Sequence, residues 1–147
     1  MTKLSKYFSL EEMTKTSVQG VKNIPNDAQI SNLNRLCGWL DKLRDEWNLR
    51  YGDGDDPIFI NSAFRSETVN KAVGGAKNSN HLSGCAADIR VLGMEQMLRY
   101  ATILLDISDK TNEDFDELLM ERKGNSLWLH FAVRPSCNRR VVKFIGV

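Results

Sequence analysis

The sequence predicts a single α+β domain in which helices pack on a small antiparallel sheet. Its 147 residues are enough for one domain with a hydrophobic core. Hydrophobic residues make up 41% and charged residues 27% of the chain, as is usual for globular proteins. The predicted elements come in the order helices, strand, loop, strand, helix and hairpin, which is typical of an α+β domain. We see no internal repeat or linker, and therefore expect one domain over residues 1–147.

Four helices are predicted. Ser9, with Glu12 three residues later, forms a capping-box pattern at the start of a short helix. A long helix follows, with Asn26 or Asp27 as its N-cap, because apolar residues recur there at helical spacing. The residues of that stripe are Ile30, Leu33, Leu36, Leu40, Leu43 and Trp47. The other two predicted helices lie in SETVNKAVGG and GMEQMLRYATILLD.

Five strands are predicted from alternating or buried apolar runs: PIFINSAF, CAADIRV, FDELLMER, LWLHFAV and NRRVVKFIG. The turn KGNS joins the third to the fourth as a β-hairpin. Because side chains alternate along a strand, Ala86, Asp88 and Arg90 share one face of the second strand. Trp128 and His130 likewise lie opposite the apolar face of the fourth strand. Burying a carboxylate such as Asp88 among alanines is costly unless it is paired or bound to a metal.

The three residues His81, Asp88 and His130 form a candidate metal site. They include both histidines of the chain. Two imidazoles and a carboxylate are a common ligand set of catalytic zinc, with the fourth position left to water. The alternative is that each histidine is an ordinary core or surface residue, because two histidines far apart in sequence do not by themselves define a site.

A metallohydrolase also needs a general base, and the predicted hairpin offers Glu121. A turn through KGNS places Glu121 opposite Trp128 and Leu119 opposite His130, so that Glu121 and His130 share a face. The alternative is a solvated charge at the hairpin end, since a slip of one residue would reverse the face.

Arg65 is a candidate substrate anchor because it directly follows a predicted strand, where binding groups gather. Its guanidinium could hold a carboxylate through two parallel hydrogen bonds. The alternative role is an ordinary surface salt bridge.

Composition argues against several other classes of function. The net charge of +1 offers no basic excess for nucleic acid, and no apolar run is long enough to span a bilayer. The N-terminal segment lacks the apolar stretch of a secretory signal, so we expect synthesis in the cytoplasm without a signal peptide. The three cysteines, Cys37, Cys85 and Cys137, match no disulfide or zinc pattern and are expected to be reduced.

The segment SAFRSETVNKAVGGAKNSNHLSGCAADIR resembles the zinc D-alanyl-D-alanine carboxypeptidase family, particularly its small single-domain and phage-endolysin members. Four family motifs occur in order: S-G/A-Y/F-R-S, N-x-x-V-G-G-A, S-x-H-x-x-G-x-A-x-D and W-x-H. They fall at residues 62–66, 70–76, 79–88 and 128–130. The N-terminal YFSLEEMTKTS also resembles the leader helix of small members. The resemblance covers nearly the whole chain and implies the hedgehog/D-Ala-D-Ala-peptidase-like fold.

The resemblance also implies roles for individual residues. It implies Zn²⁺ as the cofactor, with the ligands His81, Asp88 and His130. It implies that Arg65 anchors a substrate carboxylate, and that Ser79 and Trp128 lie beside the bound peptide.

The sequence departs from the family at the catalytic acid. Many members carry that acid three residues before the last ligand, where this chain has Leu127. In small members the acid stands on the preceding strand. This favours Glu121, with Glu117 and Asp116 as lesser candidates.

The function implied is a zinc-dependent metallopeptidase that cleaves the peptide stems of bacterial peptidoglycan, as a D-Ala-D-Ala carboxypeptidase or a lysin-type endopeptidase. We expect a monomer with no nucleic-acid partner, either a phage lysin released to the cell wall or a bacterial cytosolic enzyme. The alternative is a catalytically inactive, zinc-containing cell-wall-binding or virion structural module, which the missing acid at Leu127 favours. A metal-free globular domain is a third hypothesis.

Overall fold

The computed structural model describes residues 2–146, so that residues 1 and 147 of the predicted domain lie outside the described part. The helices are α1 (Leu10–Met13), α2 (Asp27–Arg50), α3 (Glu67–Ala72) and α4 (Met94–Thr111). The strands are β1 (Ile60–Ser62), β2 (Ala86–Arg90), β3 (Glu117–Lys123), β4 (Ser126–Ala132) and β5 (Val141–Gly146). This element order confirms the predicted α+β class.

The five strands form one sheet in the order β1-β2-β4-β3-β5. Three of the four pairings are antiparallel, as predicted, whereas β5 pairs with β3 in parallel. The parallel pairing arises because residues 133–140 stay at the end of the sheet where β4 finishes. They pass the start of β3, and β5 then runs in the same direction as β3. The predicted antiparallel sheet is therefore correct except at this edge.

The hairpin register agrees with the prediction. Glu121 pairs with Trp128, and Leu119 pairs with His130. The loop between the strands has two residues, and its first residue, Gly124, has φ +60°, a conformation that glycine adopts without steric cost. This short turn fixes which residues of β3 share a face with His130.

The hydrophobic core lies between one face of the sheet and the helices α2 and α4. The predicted stripe of α2 is buried except for Ile30, which is partly exposed. Trp39 of α2 packs on Phe131 of β4 with ring centroids 5.4 Å apart. Each large apolar side chain buried here contributes about 1.5–3 kcal/mol to stability. The opposite face of the sheet remains available for polar residues.

Helix caps follow the sequence pattern. The capping box of Ser9 and Glu12 is present at α1. Asn26, rather than Asp27, caps α2 and forms a second capping box with Gln29. Among the helices of residues 2–146, none combines the length and the apolar composition needed to cross a membrane.

The observed strand β1 is much shorter than the predicted strand PIFINSAF: it has three residues. A register shift between Ile60 and Ser62 interrupts its ladder with β2. Beyond the shift, the backbone bonds outside the sheet: the Phe64 amide donates to the Met13 carbonyl at 2.9 Å, and the Arg65 amide to the His81 carbonyl at 3.1 Å. The prediction was wrong for the end of this strand, because these amides donate to carbonyls of α1 and of the loop that carries His81 rather than to β2.

Gly84 is required where that loop approaches α2. Its φ is +76°, and a Cβ atom would lie 2.6 Å from the Gln29 carbonyl oxygen. We expect Gly84→Ala to lower the free energy of unfolding by about 2–5 kcal/mol, from left-handed strain and overpacking together. Urea denaturation measures this loss. Gly20→Ala is the matched control, because Gly20 has φ +74° with nothing within 4 Å of its Cβ position. An equal loss of stability in both variants would show that the close approach to the Gln29 carbonyl contributes nothing to the effect of Gly84→Ala.

Candidate metal centre

Three side chains converge on the face of the sheet that points away from the core. His81 lies in the loop before β2, Asp88 in β2 and His130 in β4, where Asp88 and His130 are directly paired. The Asp88 Oδ1 atom lies 3.3 Å from His81 Nε2 and 3.1 Å from His130 Nδ1. One ligand atom from each residue lies within 4.8 Å of the other two. The structure thus brings together the three residues that the sequence predicts as metal ligands.

The hydrogen bonds of the two imidazoles fit metal binding. His81 Nδ1 lies 2.6 Å from the Ala63 carbonyl oxygen, and His130 Nε2 lies 3.0 Å from Glu117 Oε1. Both oxygens are acceptors, so those two nitrogens would keep their protons when a metal ion occupies the other nitrogen of each ring. The lone pairs of His81 Nε2 and His130 Nδ1 then face Asp88. Two nitrogens and a carboxylate oxygen arranged in this way suit Zn²⁺.

The electrostatics of the site also favour a cation. Burial would raise the pKa of Asp88, but hydrogen bonds from His130 and His81 hold it well below its usual range. Burial lowers the pKa of His130, yet Asp88 and Glu117 outweigh this and raise the pKa to about 9. These carboxylates place negative charge on both sides of His130. A metal ion takes the Nδ1 lone pair in competition with a proton.

The three candidate ligands line a cavity of about 360 Å³, which the candidate substrate residues also line. Arg65, Ser79, Glu121 and Trp128 all line it. Glu121 is partly buried, and its Oε2 accepts a hydrogen bond from Trp128 Nε1 at 3.1 Å. Burial is the main reason why the pKa of Glu121 is raised. A carboxylate with a raised pKa, next to the ligands, is suited to accept and return a proton.

The two lesser candidates for the base are engaged elsewhere. Asp116 is fully buried, and both of its oxygens accept hydrogen bonds from Arg139. Although burial raises the pKa of Asp116, the bonds from Arg139 and Asn80 bring it down to about 2. Glu117 Oε1 contacts His130 and accepts a bond from Asn80. Glu121 is therefore the carboxylate of the three whose contacts leave it best placed to act on a substrate.

Arg65 lines the cavity but also contacts Asp88, one of the candidate metal ligands. Its Nη2 donates to Asp88 Oδ2 at 3.1 Å, Nε to Ser62 Oγ at 3.1 Å, and Nη1 to Asn70 Oδ1 at 3.3 Å. A guanidinium has five N–H donors, so two remain for another anion. Arg65 thus forms a salt bridge, as in the alternative interpretation, but the bridge is partly buried: the Arg65 side chain is 15% exposed and that of Asp88 13%.

Ser79 supports the loop of the first ligand. Its Oγ accepts a hydrogen bond from the His81 amide at 3.1 Å, which leaves its own hydroxyl proton available to donate. Ser79 thus lies beside the candidate ligand His81, at the wall of the cavity.

Sequence reasoning missed two residues of this region, Asn80 and Arg139. Asn80 is buried and donates to Asp116 Oδ2 at 2.8 Å and to Glu117 Oε1 at 2.7 Å. Its only sequence signal is its position next to His81. Arg139 lines the cavity from the connection between β4 and β5. The path of that connection depends on the parallel pairing of β5, which no local pattern indicates.

Two comparisons with known proteins found similarity, one to a family model and one to a single relative. The family model described as Peptidase M15 matches residues 6–116. The zinc D-Ala-D-Ala carboxypeptidase of Streptomyces albus G is 54% identical over 41 residues. Those residues make up 28% of this chain and only 16% of that relative. Because the family match extends over well more than half of its length, the chain belongs to the peptidase M15 family.

Proposed function

We propose that the protein is a zinc-dependent metallopeptidase that cleaves the peptide stems of bacterial peptidoglycan. The observation that carries the proposal is the convergence of His81, Asp88 and His130 in a cavity that Glu121 and Arg65 also line. Membership of the peptidase M15 family supports peptide hydrolysis. The similarity to the zinc D-Ala-D-Ala carboxypeptidase of Streptomyces albus G supports zinc as the metal and a D-Ala-D-Ala stem as the substrate.

The metal and the carboxylate would divide the chemistry between them. His81, Asp88 and His130 would hold the zinc ion, which when bound would supply a Lewis acid for the scissile carbonyl and for a water molecule. Glu121 takes a proton from the attacking water and passes it to the leaving amine. The Trp128 indole N–H holds Glu121 Oε2 at 3.1 Å and so orients this carboxylate.

Arg65 and Ser79 would position the peptide. The two N–H donors of Arg65 that remain after its protein contacts can bind an anionic group of the stem. In a carboxypeptidase that group is the terminal carboxylate, and in an endopeptidase it is another carboxylate of the stem. The Ser79 hydroxyl can donate to a peptide carbonyl, since its oxygen already accepts from the His81 amide.

A direct assay tests the proposal. The zinc-loaded protein is incubated with purified peptidoglycan and with a soluble stem peptide ending in D-Ala-D-Ala, with and without a chelator. Mass spectrometry then identifies the products. Release of D-alanine that the chelator abolishes indicates a carboxypeptidase, and internal fragments indicate an endopeptidase. Failure to cleave any stem would contradict the proposal.

A second candidate function is a zinc-containing cell-wall-binding or virion structural module without catalysis. Leu127 favours it. This residue stands at the position where many family members carry the catalytic acid, and it is partly buried against the core. The same assay separates the two: tight zinc binding without turnover of any stem would support the structural module.

Arg65→Lys is expected to raise KM for an acid-terminated stem by about 10–100-fold at saturating zinc, because charge-assisted hydrogen bonds contribute about 1.5–3 kcal/mol. Steady-state kinetics on D-Ala-D-Ala peptides measures the change. The same peptide with an amidated C-terminus is the control, since it lacks the carboxylate. An equal loss on both peptides would mean that Arg65 acts through Asp88 rather than on the substrate.

A further inference from the structure

The imidazole of His130 is held from both sides by carboxylates. Its Nδ1 lies 3.1 Å from Asp88 Oδ1, and its Nε2 lies 3.0 Å from Glu117 Oε1. Glu117 pairs with Ala132, two residues along β4, and is thus a diagonal neighbour of His130 on the same face. The strand register, rather than a flexible loop, sets this contact.

Glu117 is itself held in place. Its Oε1 accepts a hydrogen bond from Asn80 Nδ2 at 2.7 Å, and its Oε2 lies 3.6 Å from Arg139 Nη2. Asn80 is buried and in turn receives a bond from Arg134 Nε at 3.1 Å. Both oxygens of Glu117 therefore face protein donors. A carboxylate fixed in this way is suited to orient a neighbour rather than to move between water and a leaving group.

The contact with Glu117 has a chemical consequence for His130. A neutral imidazole carries a proton on one nitrogen only, and the carboxylate can only accept. Once a metal ion takes the place of the proton on Nδ1, which faces Asp88, the remaining proton stays on Nε2, where Glu117 accepts it. Carboxylates that hold the distal N–H of a ligating histidine also raise its basicity, and their loss weakens metal binding by about 10–100-fold.

We infer that Glu117 is a positioning residue that fixes the Nε2–H tautomer and ring orientation of His130, and so presents Nδ1 to the metal. The inference rests on the proposed zinc site. It separates two acids on one face of β3: Glu121 acts on the substrate, whereas Glu117 acts only through His130.

The first test is zinc affinity, measured without substrate by competition with a chromogenic chelator. Glu117→Ala is expected to raise the zinc Kd by about 10–100-fold. Glu117→Gln keeps an oxygen that accepts from Nε2 but has no charge. Because neutral hydrogen bonds are about half as strong, Glu117→Gln is expected to raise the Kd by less than about tenfold. Glu121→Gln, on the same face but bonded to Trp128, is the matched control and should leave the Kd unchanged.

The second test is the ¹⁵N–¹H NMR spectrum of the imidazoles, which is simple because the chain has two histidines. In the zinc-loaded protein we expect a His130 Nε2–H proton that is shifted downfield and protected from exchange. In Glu117→Ala that proton should move upfield or be lost to exchange. The His81 Nδ1–H proton, which is bonded to the Ala63 carbonyl, should stay in place as the internal control.

The outcomes separate this inference from the proposed function. Wild-type protein that binds no zinc would overturn both. Wild-type protein that binds zinc and cleaves stems, with Kd and His130 resonances unaltered in Glu117→Ala, would overturn the inference alone. Should Glu117→Ala fail to fold, Glu117→Gln decides the question. An increased Kd with a displaced His130 proton supports the inference, and wild-type values contradict it.

Discussion

Glu121→Gln is expected to lower kcat on a peptidoglycan stem peptide by about 10²–10⁴-fold, the usual contribution of a general acid–base group. Glutamine has nearly the same shape as glutamate, and its amide oxygen can still accept the Trp128 indole N–H that Glu121 Oε2 accepts. It cannot take a proton from water. The variant should therefore keep the fold and the zinc content of the wild type while losing turnover. Single-turnover kinetics on zinc-saturated protein measures the loss.

Two further variants show whether the effect is specific to Glu121. Asp116→Asn removes a buried charge that is paired with the half-exposed Arg139, and it should mainly reduce stability. Glu117→Gln should mainly weaken zinc binding, so that added zinc restores its activity. Glu121→Gln should not respond to added zinc. Turnover at the wild-type rate in Glu121→Gln would assign the proton transfer to another group.

The assignment of Glu121 depends on a register that local sequence can predict. The two-residue loop at Gly124 determines that Glu121 pairs with Trp128, and strand alternation then places it on the face of His130. The same reasoning places Asp88, whose strand alternates regularly. Periodicity and turn chemistry were thus sufficient for those members of the site that lie on regular strands.

The remaining parts of the site depend on contacts between distant segments. Arg65 was expected to bind substrate, but it also contacts Asp88, 23 residues further along the chain, which no local pattern indicates. Asn80 links Asp116 and Glu117 across 36 and 37 residues of sequence. Arg139 reaches the cavity only because β5 runs parallel to β3. Such contacts are set by tertiary packing and therefore could not be predicted from spacing along the chain.

Asp88→Asn is expected to abolish activity at ordinary zinc concentrations by weakening metal binding about 100-fold. Structural sites bind zinc with a free energy of about 10–16 kcal/mol. An equal share for each of four ligands is about 3 kcal/mol, which corresponds to about 100-fold in Kd. Asparagine fills the same space but lacks the charge that attracts the cation and orients both imidazoles. Chelator competition gives the Kd, and the activity assay is repeated over a range of zinc concentrations.

The loss of affinity must be distinguished from a loss of fold, because Asp88 also pairs with the partly buried Arg65. Asp41→Asn is the matched control. Asp41 accepts hydrogen bonds from Ser5 and from the Lys6 and Tyr7 amides, at residues that do not line the cavity of the ligands. Its replacement should reduce the free energy of unfolding but leave the zinc Kd unchanged. Asp88→Asn should alter both the free energy of unfolding and the zinc Kd. If Asp88→Asn bound zinc as tightly as the wild type, Asp88 would not be a ligand, and two histidines alone would be too few to hold a catalytic ion.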